Sequence, residues 1–227
     1  MLLSIIIGAA VGIALSPVCR IQQVTVTGLT ESVVAEVAAI IKLPPAANTV
    51  FLPLRAMSAA ADNCYRVKKL VVSRRSLRSI TVTVHERKPV AALASDHSYT
   101  LIDDDGICLI RTDTPGELPA FKGLVARRPE LGEAIPPDRL VAVLACLKGA
   151  REVGIEQGLQ FDFSNIHLCV LKTSDGVGGK LGAMRDLYRK IVLFGRLLEG
   201  LRTEGKRVKY IDVRIENNPT IREENRD

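Results

Sequence analysis

Residues 21–32 read IQQVTVTGLTES, and the order of residue types in this stretch decides the fold. Val24 and Val26 alternate with Thr25 and Thr27, the period of a strand that is apolar on one face and polar on the other. Gly28 breaks the strand. Thr30 stands where an N-cap belongs, and Glu31 lies in the first turn of a helix over 31–43 whose apolar stripe is Val33, Val37, Ile40 and Ile41. Pro44-Pro45 ends that helix, and a second is predicted around 52–64 from Leu54, Met57, Ala61 and Cys64. Two strands follow, VKKLVVSRR (67–75) and SITVTVHERKPVA (79–91). In the latter Ile80, Val82 and Val84 alternate with Thr81, Thr83 and His85, until Pro89 stops regular pairing. Strand, helix, helix, strand, strand within about seventy residues describes a small α+β domain with two helices packed on a three-stranded sheet.

Upstream, MLLSIIIGAAVGIALSPV carries no charged side chain over residues 1–18. As a helix it would span about 27 Å, close to the hydrocarbon thickness of a bilayer, so a transmembrane helix over 1–19 is expected. A cleavable signal peptide is the rival, but the stretch lacks a basic n-region, and cleavage after Ala14-Leu15-Ser16 would leave Pro17 next to the cut. Lys and Arg lie only on the C-terminal side of the stretch, which by the positive-inside rule places the bulk of the chain in the cytoplasm. No tail precedes the stretch, which points to a start further upstream.

Beyond residue 90 the pattern becomes β-rich. YTLIDDDGICLI (99–110) reads as a hairpin turning at Asp105-Gly106, LPAFKG (118–123) as a loop, and PPDRLVAVLACLKGAREVG (136–154) as a helix with Leu140, Leu144 and Leu147 on one face. GLQFDFSNIHLCVLKTSDG (158–176) supplies two strands. A long helix is expected over 181–204, with Met184, Leu187, Ile191, Phe194, Leu198 and Leu201 in its stripe and Gly205 as its stop. The last strand, within 206–222, places Ile211, Val213 and Ile215 on one face, and 223–227 form a charged tail.

Composition narrows the function. Hydrophobic residues make up 47% and charged residues 25% of the 227, a globular composition, with net charge +6. Aromatics are 4% with no Trp, too few to stack single-stranded nucleic acid, and no nucleic-acid partner is expected. Five cysteines at 19, 64, 108, 146 and 169, odd in number and without C-x-x-C, signal neither a disulfide framework nor a zinc site. GVGGKLG (176–182) fails the phosphate-loop pattern, with Ser174 where a glycine and Leu181 where Ser or Thr would be needed, and reads as a glycine-marked turn. His85, His97 and His167 stand alone, Asp103-Asp104-Asp105 reads as a hairpin tip, and no G-x-S-x-G occurs. No catalytic residue, cofactor site or metal site is assigned, and no enzyme is expected.

Two binding candidates remain. Arg66, Lys68, Lys69, Arg74, Arg75 and Arg78 form a basic cluster suited either to anionic headgroups or a peptidoglycan-like polymer, or simply to a solvated strand pair. KYIDVRIE (209–216), read as the closing strand at a sheet edge, can accept a partner strand by β-augmentation. Its candidate partner-binding residues are Tyr210, Asp212, Arg214, Ile215, Asn217, Asn218 and Pro219.

The V-x-V-x-G opening at 24–28 and the V-x-V-x-E-R-x-P-V-A ending at 82–91 resemble a POTRA domain of the FtsQ type. YTLIDDDGICL, LPAFKG, GVGGKLG and GKRVKYIDVRI resemble the second domain of the FtsQ/DivIB cell-division family. The resemblance implies an organisation of transmembrane helix (1–19), POTRA domain (20–89), β domain (90–222) and tail. It also implies a single-pass inner-membrane protein with its N-terminus cytoplasmic, touching lipid through residues 1–18, and both domains outside the cytoplasm at the division septum, against the local charge count. The implied function is that of a scaffold of the divisome. It would bind FtsB (DivIC) and FtsL and link them to septal peptidoglycan synthase subunits. Two departures stand out: the family's basic cytoplasmic tail is missing, and Ile215 follows the D-V-R motif where relatives carry an aromatic that contributes to partner binding. A POTRA-containing transport or outer-membrane assembly factor is the alternative, and would require POTRA repeats and a β-barrel.

Overall fold

The computed structural model describes residues 16–28, 47–59, 64–95 and 98–223. The chain divides into two compact units, Met1–Arg87 and Lys88–Asp227.

In the first unit β1 (Gln23–Thr27), β2 (Val67–Arg74) and β3 (Ser79–Glu86) form a sheet in the order β1-β3-β2. β1 runs parallel to β3, with Val24 beside Ile80 and Val26 beside Val82, and β2 runs antiparallel to β3. The alternation sets the faces: Ile80, Val82 and Val84 are buried with Val67, Leu70, Val72, Leu52 and Cys64, while Thr81 and Thr83 are only half-buried. On the edge strand Val24 and Val26 stay 39% and 43% exposed. Gly28 ends β1 at φ +82°, and a Cβ there would lie 2.2 Å from the Val84 carbonyl oxygen, so both backbone conformation and space require glycine. Of the two expected helices, the one over 31–43 lies outside the described residues. The second is present as α1 (Leu54–Ala59), packed on β2.

The transmembrane part of the expected fold is overturned. Among the described residues no helix is long and apolar enough to cross a membrane. The end of the expected span is a 3₁₀ turn, Pro17–Cys19, started by Pro17 and capped by the Ser16 hydroxyl. Cys19 is fully buried, Arg20 bridges to Asn48, and the Ile21 N–H donates to the Ala47 carbonyl. These residues belong to the folded unit. Residues 1–15, and with them most of the proposed lipid contact, lie outside the described residues.

In the second unit nine strands form one sheet, ordered β12-β11-β10-β9-β8-β7-β4-β5-β6. They are β4 (Ala91–Ser95), β5 (Ser98–Ile102), β6 (Cys108–Thr112), β7 (Ala120–Lys122), β8 (Gln160–Asp162), β9 (Cys169–Lys172), β10 (Gly178–Gly182), β11 (Val208–Asp212) and β12 (Thr220–Glu223). LPAFKG is therefore not a loop: β7 lies in the sheet interior, parallel to both β4 and β8. Phe121 on β7 stacks on Phe161 of β8 at 4.7 Å between ring centres, and Phe163, just past the end of β8, tilts against both, which anchors these two short strands in the core. Within GVGGKLG, Gly176 at φ +92° lies in the expected turn, but Gly178–Gly182 are a strand, β10. A Cβ on Gly179 would lie 2.7 Å from Leu171 and 2.9 Å from Phe194, so glycine lets the helix below press onto the sheet.

Helices α2 (Pro137–Glu152) and α3 (Leu187–Thr203) pack against each other. The α2 stripe differs from the expected leucines: Ala142, Val143, Cys146, Gly149 and Ala150 are buried, whereas Leu144 is exposed. Close approach is the reason, because a Cβ on Gly149 would meet the Tyr188 carbonyl at 3.0 Å and Ile191 at 3.2 Å. α3 starts six residues later than expected, since 178–182 are spent on β10. Its stripe of Leu187, Ile191, Phe194, Leu198 and Leu201 is buried.

Candidate functional site

The large sheet has two edge strands, β6 and β12, and it is β12, not KYIDVRIE, that forms the edge at the C-terminal side. β11 is paired on both sides, parallel to β10 and antiparallel to β12, with Ile211 opposite Ile221 and Asp212 opposite Thr220. Two turn-forming asparagines and Pro219 return the chain, the Asn218 N–H donating to the Ile215 carbonyl at 3.1 Å, and the short run Thr220–Glu223 then closes over β11. All four β12 residues are exposed. An edge strand leaves one row of backbone N–H and C=O groups without a ladder partner, which is the chemistry an added strand needs.

The seven candidate residues fall into distinct positions around this edge. Tyr210 and Asp212 lie on β11, and Lys180 Nζ of the neighbouring strand sits 4.0 Å from the centre of the Tyr210 ring. Asp212 and Arg214 form a local fork. Asp212 Oδ1 accepts the Arg214 main-chain N–H at 3.1 Å and its Nε at 2.9 Å, and Oδ2 lies 2.7 Å from the guanidinium terminus. Partial burial pushes the Asp212 carboxyl up, but the hydrogen bonds from Arg214 and the charges of Arg214 and Lys180 outweigh it and hold the group below its ordinary value. Asp212 in turn raises Arg214 through the same bonds. Ile211 and Val213 are fully buried, but Ile215 lies past the strand end and is 65% exposed, so it does not share their face. Ile215, Asn218 and Thr220 line a cavity of about 320 Å³ with Asp212 and Arg214. Asn217 is exposed, and Pro219 sits in the turn before β12. The structure thus gathers the candidates at one corner of the sheet, beside an edge formed by a separate strand, β12, after the KYIDVRIE strand.

The basic cluster is partly structural. Arg74 reaches the Thr49 carbonyl through Nε and the Val50 and Leu52 carbonyls at 3.0 and 3.3 Å, clamping the segment that enters α1. Arg78 Nε donates to the Val18 carbonyl at 3.1 Å. Asp103, Asp104 and Asp105 bring their carboxylates within 4.8 Å of one another, yet Asp103 is buried and its Oδ1 accepts the N–H groups of Asp105 and Ile107, as the hairpin turn requires. All five cysteines are buried free thiols, and burial pushes Cys108 up to about 11. His85 and His167 are exposed, while His97 lies outside the described residues. Compared with known protein families and with curated proteins, the sequence gives no match.

Proposed function

We propose that this chain is a non-enzymatic scaffold of the bacterial divisome, of the FtsQ/DivIB type, that receives a strand from an FtsB- or DivIC-like partner along β12. The observation that carries the reading is the exposed edge of β12, with Ile215, Asn218 and the Asp212–Arg214 pair at its head. The sequence motifs of both units favour the same family. The partner's main chain would extend the ladder, and its side chains would meet Ile215 and Ile221 as apolar contacts and Arg214 and Arg222 as cationic ones. FtsL-like and septal-synthase subunits would join through that partner, with both units outside the cytoplasm at the septum. A pull-down from dividing cells tests this reading. Recovery of an FtsB/DivIC-like and an FtsL-like coiled-coil protein is expected, and recovery of neither would overturn it.

A further inference from the structure

β4, β7 and β8 are neighbours and run parallel, so their carboxyl ends, at Ser95, Lys122 and Asp162, open on the same side of the sheet. From there the chain departs in three ways, into β5, into the long connection before α2, and into the turn before β9. Ligands favour the crevice outside the carboxyl ends of parallel strands, where the departing loops separate. Here the crevice is a cavity of about 820 Å³. Its floor is fixed by Gly123 at φ +69°, whose missing Cβ would lie 2.4 Å from Ser164 Cα, so the turn after β8 lies directly on the segment after β7.

The walls carry Lys122, Arg127 and Arg128 together with Ser95, Ser98 and Tyr99. Among the described residues two acids approach them, and both are engaged in local structure. Asp162 accepts the Ser164 N–H at 2.9 Å and stands 3.9 Å from Lys122 Nζ, while Glu133 pairs with Arg127 and accepts the Glu130 N–H at 2.9 Å. Among the described residues Arg128 has no ion-pair partner, and Ser95, Ser98 and Tyr99 make no side-chain hydrogen bond. An exposed guanidinium without an ion-pair partner, an ammonium held only loosely and the polar residues Ser95, Ser98 and Tyr99 line a single cavity, a lining suited to an oxyanion.

We infer that this cavity is a binding site for a phosphate-bearing ligand, with Lys122 and Arg128 as its principal cationic contacts. It is independent of the partner strand proposed at β12, from which β9, β10 and β11 separate it in the sheet. The phosphate could be that of a small soluble molecule or of a lipid headgroup, and the two are told apart by two probes. Inorganic pyrophosphate is titrated calorimetrically at low salt, and vesicles of phosphatidylglycerol are compared with vesicles of phosphatidylcholine in a sedimentation assay. The parent protein is expected to bind one of the two phosphate probes, and Lys122→Ala/Arg128→Ala to weaken that binding at least tenfold. Arg207→Ala/Lys209→Ala, which removes the same charge from exposed positions outside the cavity, should leave it within twofold. Pyrophosphate binding assigns a soluble ligand, and phosphatidylglycerol binding alone assigns a headgroup. Lys122→Gln/Arg128→Gln, with unchanged circular dichroism, should repeat the loss, so that a folding defect cannot mimic it. Absence of binding to either probe, or equal losses in the cavity and control variants, would overturn the assignment.

Discussion

Replacing Val82 with aspartate tests the first unit where sequence pattern and structure meet most sharply. Val82 lies on the central strand, paired with Val26 on one side and Val72 on the other, and none of its surface reaches solvent. Removing the buried side chain forfeits about 1.5–3 kcal/mol of apolar burial. Among the described residues the cluster around it is Leu, Ile, Val and Cys, with no cation beside the new carboxylate, which adds several kcal/mol more unless it takes up a proton. Against a typical domain stability of about 5–15 kcal/mol, the sum removes much or all of the margin. Thr83→Asp, one residue along, changes the half-buried face. It forfeits a 3.4 Å hydroxyl contact with Thr27 and some strand propensity, roughly 1 kcal/mol. Amide hydrogen exchange over residues 67–86 reads the unit directly, with collapsed protection expected for Val82→Asp and near-parental protection for Thr83→Asp. Desolvation raises the new carboxyl's pKa in the folded state above its unfolded value of about 3.9, so the defect relative to the parent should shrink as pH falls toward 4 and be largest at neutral pH. Equal protection in the two variants, or a defect that deepens on acidification, would refute the inward assignment of this face.

Lys190 is buried on α3 and donates to the Leu181 and Ala183 carbonyls at 2.8 and 3.3 Å, so Lys190→Met should strand both acceptors and lower the stability of the second unit by about 2–4 kcal/mol in urea unfolding. Asp212 and Asp175 have folded pKa values below their ordinary ones. Burial pushes the Asp175 carboxyl up, but Thr173 and Arg202 outweigh it. Their stabilising contributions are therefore present above about pH 4 and lost as pH falls through the folded values, and carboxyl NMR titration should place both midpoints below those of exposed aspartates. Ile215→Lys should weaken binding of an FtsB-like segment at least tenfold, about 1.4 kcal/mol, with circular dichroism unchanged, because the side chain is exposed and outside the core. An alkaline phosphatase fusion at the C-terminus should be active in cells and a green fluorescent protein fusion dark, and the reverse pattern would rule out work outside the cytoplasm.

Strict two-residue alternation made β3 and its inward face readable, since Ile80, Val82 and Val84 leave one way to bury the strand. The 3.6-residue stripe of α3 was equally plain because its buried residues are large. α2 was misread because its contact with α3 rests on Ala, Cys and Gly, residues that carry little hydropathy signal but permit close approach. β7 and β10 were missed for a related reason: a strand of three residues, or one rich in glycine, is held by neighbours on both sides and not by its own propensity. The transmembrane reading rested on the absence of charge over 1–18, yet Pro17 and Cys19 are spent on a turn inside the folded unit. At the candidate site, Asp212, Arg214 and Ile215 are singled out by the D-V-R motif and the family resemblance, not by hydropathy. The edge itself was hidden, because Thr220–Glu223 is too short and polar to announce a strand, although Asn217-Asn218-Pro219 before a β-branched pair was the available turn signal. One consequence is practical: deleting 217–227 would strip β12 and uncover β11, so truncation is not a neutral test of partner binding.

The proposal that β12 receives a partner strand is tested most directly by a photo-crosslinking residue placed in turn at Thr220, Ile221, Arg222 and, as a control, at exposed Val141 of α2, in dividing cells. The β12 positions should crosslink to an FtsB/DivIC-like protein through an extended segment identified by mass spectrometry, and position 141 should not. Crosslinks to that protein from position 141 but from none of the β12 positions, or no such crosslink at all, would contradict it.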